Sequence, residues 1–374
     1  MTKKLILVGA GQFARYHVKE LTKRPEISLV AVVDPHGERI RSLIAGNGRL
    51  AEHPPKTFTS IDGVINHGIE FDGALVVTPP ATHYPIAHRL LRGGKHVYVE
   101  KPFTLEPAQA HTLVALAEAR GRILMVGENR VVFPEYLAAA KAVRNGEIGA
   151  VEGFLFYTKF PWERNSQGNW RLGVNDPGAG MVNPGAGILL DHAPHYDHFL
   201  TDVLGFVPKT AVHLGSTFGQ TGVDVAVGYE LRDDHGKVAV IWIDGTAQER
   251  EGLECIRMYG SKGEITIRYE RGKGDAHIEP EGEPQRELPW EHALQSIGPF
   301  GIIDPASKPL LIHNFLDQLL GYGVPNACSG ASAILPVTVM DTVRKSRDDG
   351  IALGFQGQYP VKLLKDFGEF LRTP

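Results

Sequence analysis

A run of glycines and small residues, Gly9-Ala10-Gly11-Gln12-Phe13-Ala14, stands directly after the apolar stretch Leu5–Val8 and opens a helical pattern. In that setting G-x-G-x-x-A is suited to a dinucleotide. Gly9 allows a tight turn, Gly11 lets a pyrophosphate approach the backbone, and Ala14 keeps helix and strand close. Free amides and the positive end of the helix dipole favour the diphosphate, which makes Gln12 and Phe13 cofactor candidates beside the glycines. Without a strand before it, the same run would be a plain glycine turn. The next apolar stretch ends in Asp34, 23 residues after Gly11. A carboxylate there accepts hydrogen bonds from ribose hydroxyls and repels a 2′-phosphate, so NAD is expected in preference to NADP. Arg39 can offset a phosphate, and Asp34 followed by Pro35 also reads as the start of a turn.

Three further residues have the chemistry of hydroxyl oxidation. Lys101, in Glu100-Lys101-Pro102, follows the strand candidate His96–Val99. A cation at the carboxyl end of a parallel strand can stabilise developing alkoxide charge; a solvated surface lysine is the other reading. Asp191 and His195 are four residues apart and share a face if the segment is helical. The imidazole can take a hydroxyl proton while hydride leaves carbon, and the carboxylate can orient it. Two rival readings stand beside this one: Asp191 as an N-cap with Pro194 in the first helical turn, or His192, His195 and His198 as ligands of a metal, which is not expected for want of a supporting Cys or Glu motif. Residues 161–187 contain Trp162, Arg164, Asn165, Trp170, Arg171, Asn175, Asp176 and Asn183. Indole faces stack on sugar C–H surfaces, and the polar groups hydrogen-bond hydroxyls or hold an anionic substituent. A solvated loop pinned by aromatics at an oligomer interface is the competing reading.

The elements that must position these residues are legible as patterns. Strand candidates Leu5–Val8, Leu29–Val33, Ala74–Val77, His96–Val99 and Ile123–Val126 alternate with helical spacings, implying βαβ units and a doubly wound parallel sheet. After Gly127 a helix is expected at Pro134–Arg144. Long strands then follow at Val151–Lys159, Thr210–Thr217, Val223–Leu231, Lys237–Ala247, Cys255–Tyr259 and Glu264–Tyr269, with antiparallel pairing across short turns. Helices are expected at Leu310–Leu320 and Ile334–Arg347, and Gly272–Pro289 reads as a loop. The fold class is thus α/β: an N-terminal Rossmann domain over 1–128 and a C-terminal α/β domain with a large, mostly antiparallel open sheet over 129–374.

The 374 residues, 43% of them hydrophobic, suffice for two cores and exclude global disorder. A net charge of −4 excludes a strongly basic nucleic-acid binder. Cys255 and Cys328 are too few for a disulfide framework and are expected as reduced core thiols. No stretch has the length of a signal-peptide core or a membrane span, so a soluble cytoplasmic protein is expected.

Further motifs stand in order along the chain: Thr78-Pro79-Pro80-Ala81-Thr82-His83, Glu100-Lys101-Pro102, Gly127-Glu128-Asn129-Arg130, Gly185 to His195, and Asn314-Phe315-Leu316-Asp317. With the glycine loop, they make the chain resemble the glucose–fructose oxidoreductase/inositol dehydrogenase (Gfo/Idh/MocA) family of NAD(P)-dependent sugar and polyol oxidoreductases, over nearly its whole length. The resemblance implies that Lys101 lies beside the nicotinamide and that Asp191 and His195 reach the substrate hydroxyl. It also implies cofactor contacts for Thr78, Pro79, His83, Glu100 and Asn129 and a substrate contact for Arg130. His83 and Asn129 can equally be local hydrogen-bonding residues. A homodimer or homotetramer through the C-terminal sheet is implied, with a small carbohydrate as partner. The sequence departs from the family at Ala193, where Gly is usual, and at Pro194, where a helix kink is expected. The implied activity is NAD-dependent oxidation of a secondary hydroxyl. NAD-assisted cleavage of a glycosidic bond and a non-catalytic dinucleotide sensor are the alternatives.

Overall fold

The computed structural model describes residues 2–162, 187–218, 224–247, 252–270, 273–289 and 311–348. The chain divides into two compact units, Met1–Val132 with Gln295–Val337, and Phe133–Leu294 with Thr338–Pro374.

The first unit is built in the order β1 (Lys3–Val8), α1 (Gln12–Leu21), β2 (Ile27–Val33), α2 (Gly37–Ala45), α3 (Gly48–Glu52), β3 (Lys56–Phe58), α4 (Ile61–Asn66), β4 (Gly73–Val76), α5 (His83–Arg92), β5 (His96–Glu100), α6 (Pro107–Arg120) and β6 (Leu124–Gly127). Its described strands form one parallel sheet, β3-β2-β1-β4-β5-β6. Leu5, Ile6 and Leu7 are fully buried on successive positions, as a central strand covered on both faces requires. The three-residue edge strand β3 carries no apolar run long enough to be read in sequence.

The second unit begins with α7 (Pro134–Arg144) and β7 (Val151–Lys159), then α8 (Gly187–His198), β8 (Thr210–Phe218), β9 (Asp224–Arg232), β10 (Val238–Asp244), β11 (Leu253–Gly260), β12 (Gly263–Glu270), β13 (Lys273–Pro280) and β14 (Arg286–Glu287). The described strands order as β14-β13-β12-β11-β7-β10-β9-β8. All neighbours are antiparallel except β10 with β7. One face is covered by helix: Phe156 meets Tyr196 at 5.5 Å and Phe199 at 6.2 Å between ring centroids.

One expectation is corrected here. The segment read as a loop over Gly272–Pro289 contains β13 and β14. Among the described residues of β13 the buried ones alternate, Ala276 and Ile278, and the polar residues between them conceal the strand. Part of the late chain also belongs to the first unit. Helix α9 (Leu311–Leu319) joins that unit. There Arg24 Nη2 donates to Asp317 Oδ1 at 3.0 Å, and His313 Nε2 meets Glu20 Oε2 at 3.0 Å. Val126 N donates to Cys328 O at 2.9 Å and Gly330 N to Leu124 O at 3.0 Å, so this strap covers the free edge of β6. The last described helix is α10 (Ile334–Asp348). Cys255 and Cys328 are buried and are not joined in a disulfide. Among the described residues no helix is long and apolar enough to cross a membrane.

Candidate active site

In the first unit the glycine loop has the form a dinucleotide requires. Gly9 adopts φ +99°, and a side chain there would run into the carbonyl oxygen of Val77. Gly11 caps α1 with an extended backbone and no side-chain cap, and the first turn carries no acidic residue. A Cβ at Gly11 would meet nothing within 4 Å. The amino end of α1 thus has no side-chain cap and open space at Gly11, the surroundings an anionic group needs. Gln12 and Phe13 are exposed beside it, and Ala14 is fully buried. Because Gly11 is open yet not strained, Gly11→Val is expected to fold normally while weakening NAD binding about tenfold or more, roughly 1.4 kcal/mol. Titration of the purified variant beside a melting curve checks this.

Asp34 starts a turn, one of its two sequence readings. Its Oδ2 accepts from Ala10 N and its Oδ1 from His36 N, each at 2.8 Å. It braces the glycine loop and starts the turn, and each oxygen keeps a second lone pair for a ribose hydroxyl.

Lys101 is half-buried at the end of β5. Its amide donates to Glu100 Oε2 at 3.3 Å, and Glu100 Oε1 lies 2.7 Å from His17 Nε2. His17 is fully buried on α1, so the glycine-loop helix and the lysine strand share one carboxylate. His83 is fully buried, with Nδ1 2.8 Å from Pro102 O and Nε2 2.8 Å from Thr78 O. Burial lowers its pKa against the pull of both carbonyls. It fastens the loop after β4 to the segment after β5. Thr78 and Pro79 are half-buried, and Thr82 donates to Thr78 Oγ1 and Pro79 O, both at 2.7 Å. Asn129 Oδ1 accepts from Leu311 N at 3.0 Å, across 182 residues; Arg130 is half-buried.

In the second unit, α8 presents Asp191, His192 and His195, all half-buried. Asp191 lies inside the helix, which removes the N-cap reading. The carboxylate at the amino end is instead Asp224, whose Oδ2 accepts from Leu189 N at 2.9 Å. Burial raises Asp224 to about 6 against the opposing Leu189 bond and Arg347 charge. The helix runs on through Pro194 and widens into a π-turn at Phe199–Val203. It is pinned to the sheet by Tyr196 donating to Glu254 Oε2 at 3.0 Å and by Tyr229 donating to Asp197 Oδ1 at 2.9 Å. His192 and His195 meet edge to face at 5.0 Å, whereas His198 is buried with Nδ1 2.8 Å from Asp202.

Trp162, expected as a sugar-stacking face, is only 2% exposed, and its indole N–H donates to Asp191 Oδ2 at 2.6 Å. Burial of the ring removes it as a platform. Arg164, Trp170 and Arg171 lie outside the described residues. Sequence reasoning missed His17, Asp224 and the Trp162 contact. Of these only His17 left a signal, a titratable residue at an apolar position of α1.

Comparison with known proteins gives two matches to one family. Its model of the oxidoreductase NAD-binding Rossmann fold matches residues 3–128, and its Gfo/Idh/MocA C-terminal domain matches residues 136–266. Inositol 2-dehydrogenase of Rhizobium meliloti (strain 1021) is 25% identical over 292 residues, covering 75% of this chain and 82% of that protein. Among solved structures, the WlbA dehydrogenase from Bordetella pertussis in complex with NADH and UDP-GlcNAcA superposes with a TM-score of 0.75 at 19% identity, covering 95% of this chain and 99% of that one. Levoglucosan dehydrogenase in complex with NADH and levoglucosan gives 0.75 at 19%, covering 94% and 98%. These structural likenesses establish the fold.

Proposed function

This chain belongs to the Gfo/Idh/MocA family of oxidoreductases with an NAD-binding Rossmann domain, and on that premise we propose that it is an NAD-dependent dehydrogenase oxidising a secondary hydroxyl of a sugar or polyol. The observation that carries the reading is the uncapped amino end of α1 facing open space at Gly11. The relatives add the substrate class, since inositol and levoglucosan dehydrogenases are among them.

Gly9, Gly11, Gln12, Phe13 and Ala14 would hold the diphosphate and Asp34 the ribose. Bound NAD supplies the hydride acceptor. His195 takes the hydroxyl proton, Lys101 stabilises charge on the same oxygen, and Asp191 orients the imidazole or a neighbouring hydroxyl. His17, through Glu100, holds the backbone at Lys101. Arg130 contributes to substrate binding, and we place the enzyme in the cytoplasm.

Incubation with NAD and a panel of sugars, inositols and sugar phosphates, followed by NADH absorbance, tests the activity. Accumulating NADH with a ketone product supports it. Cleavage of a glycoside without net NADH would replace it with NAD-assisted bond breaking, and NAD binding with no turnover would make the chain a sensor. NAD over NADP is supported by the buried Asp34 carboxylate. Asp34→Ser is expected to narrow the NAD over NADP preference about tenfold, near 1.4 kcal/mol; an unchanged ratio of the two kcat/KM values counts against that role.

We also assign self-association, as a dimer or tetramer, to the eight-stranded sheet. On it Leu155, Val238, Val240 and Tyr259 form a buried apolar cluster, with partly exposed Leu214 packed against it. By strand alternation Leu155 faces away from Phe154 and Phe156. Light scattering that gives a monomer at micromolar concentration would remove this assignment.

A further inference from the structure

We propose that Trp162 is a positioning residue for Asp191, its indole N–H holding the carboxylate in one orientation; the catalytic consequence rests on the dehydrogenase reading above. The bond, Nε1 to Oδ2, is 2.6 Å, within direct hydrogen-bond reach. Indole has one donor and no acceptor, so the contact has a single polarity. A helical Asp samples several rotamers, and a donor fixed in the protein selects one of them.

The donor is fixed. Trp162 N donates to Gly245 O at 2.9 Å, Phe160 N donates to Asp244 O at 2.9 Å, and Pro161 bridges Thr246 in antiparallel fashion. The strap 160–162 is therefore an extension of the sheet beyond β7. A Cβ at Gly245 would lie 2.7 Å from Trp162 Cβ and 2.6 Å from Ile188 Cδ1, so the missing side chain is what lets strap and α8 lie together there. The strap grips α8 a second time: the Phe160 ring stacks on His192 at 4.1 Å and 29°, and His192 meets His195 edge to face. Both residues proposed to act on the substrate hydroxyl are thus supported from one short segment, Asp191 directly and His195 through His192.

Two measurements test this. The chain has 4 Trp, and the indole amide signal of Trp162 is identified as the one lost in Trp162→Phe. It is expected downfield, moving upfield in Asp191→Ala; a signal indifferent to Asp191 overturns the contact. In steady-state kinetics Trp162→Phe is expected to lower kcat about tenfold or more with KM for NAD within about twofold. On an Asp191→Ala background the same change costs less than about twofold, because its target is already gone. Equal losses on both backgrounds overturn the proposal and make Trp162 a core aromatic. Should Trp162→Phe not fold, 3-benzothienylalanine at this position keeps the bicyclic shape and deletes only the donor. If the wild-type chain reduces NAD with no carbohydrate, the dehydrogenase reading fails, and the indole signal still decides whether Trp162 holds Asp191.

Discussion

Replacing His195 with alanine is expected to lower kcat by about 10²–10⁴, the range of a lost general base, with NAD affinity unchanged. The split follows from where the groups reside. The dinucleotide features are the open cap of α1 and the Asp34 brace in the first unit, whereas His195 sits on α8 in the second. Lys101→Ala is expected to cost about 10²–10³ in kcat, the loss of one donor to developing oxygen charge. Its backbone register survives, because Glu100 binds the Lys101 amide and not its side chain. Fluorescence titration with NAD beside steady-state turnover separates the two effects. Near-normal turnover in both variants would refute the assigned roles.

Asp197→Asn has the largest expected effect on stability, and it grows with pH. Asp197 is fully buried, and its Oδ2 has no hydrogen-bond partner. Burial raises its pKa to about 8 against the opposing Tyr229 bond and His198 charge. The folded chain therefore keeps a proton between roughly pH 4 and 8 that the unfolded chain releases, and stability falls as pH rises through that window. Asparagine still accepts from Tyr229 and has no charge to acquire. At about 1.4 kcal/mol per pH unit, the variant should be more stable than the parent by several kcal/mol at pH 8.5 and by far less at pH 4.5. Urea unfolding at the two values reads the difference; an advantage independent of pH would mean that Asp197 does not titrate in this window.

Legibility in the sequence followed the physics of each feature. Strands β1, β2, β4, β5 and β6 were readable because burial on both faces makes them continuous apolar runs, and α7 because Pro134 marks its first turn. Strand β13 was not, since a half-polar strand with a buried Ala276 resembles a loop in composition. The glycine loop was readable because its chemistry is local: Gly9, Gly11 and Ala14 each answer a backbone demand within six residues. The supports of α8 were not. Asp224 reaches Leu189 across 35 positions, Trp162 reaches Asp191 across 29, and His17 reaches Glu100 across 83. A single sequence records the residue types at both ends of such contacts but not their meeting.

The strap over β6 has a consequence for synthesis. Asn326 Nδ2 also donates to Leu124 O, across 202 residues, so the parallel sheet leaves the ribosome with that edge bare. At about 5–20 residues per second, the interval before its cover emerges is roughly 10–40 s. Through that time Leu124 and Val126 offer main-chain groups to any passing strand, and Arg24 and Glu20 await Asp317 and His313. The sheet of the first unit is thus completed only when nearly the whole of the second has been made.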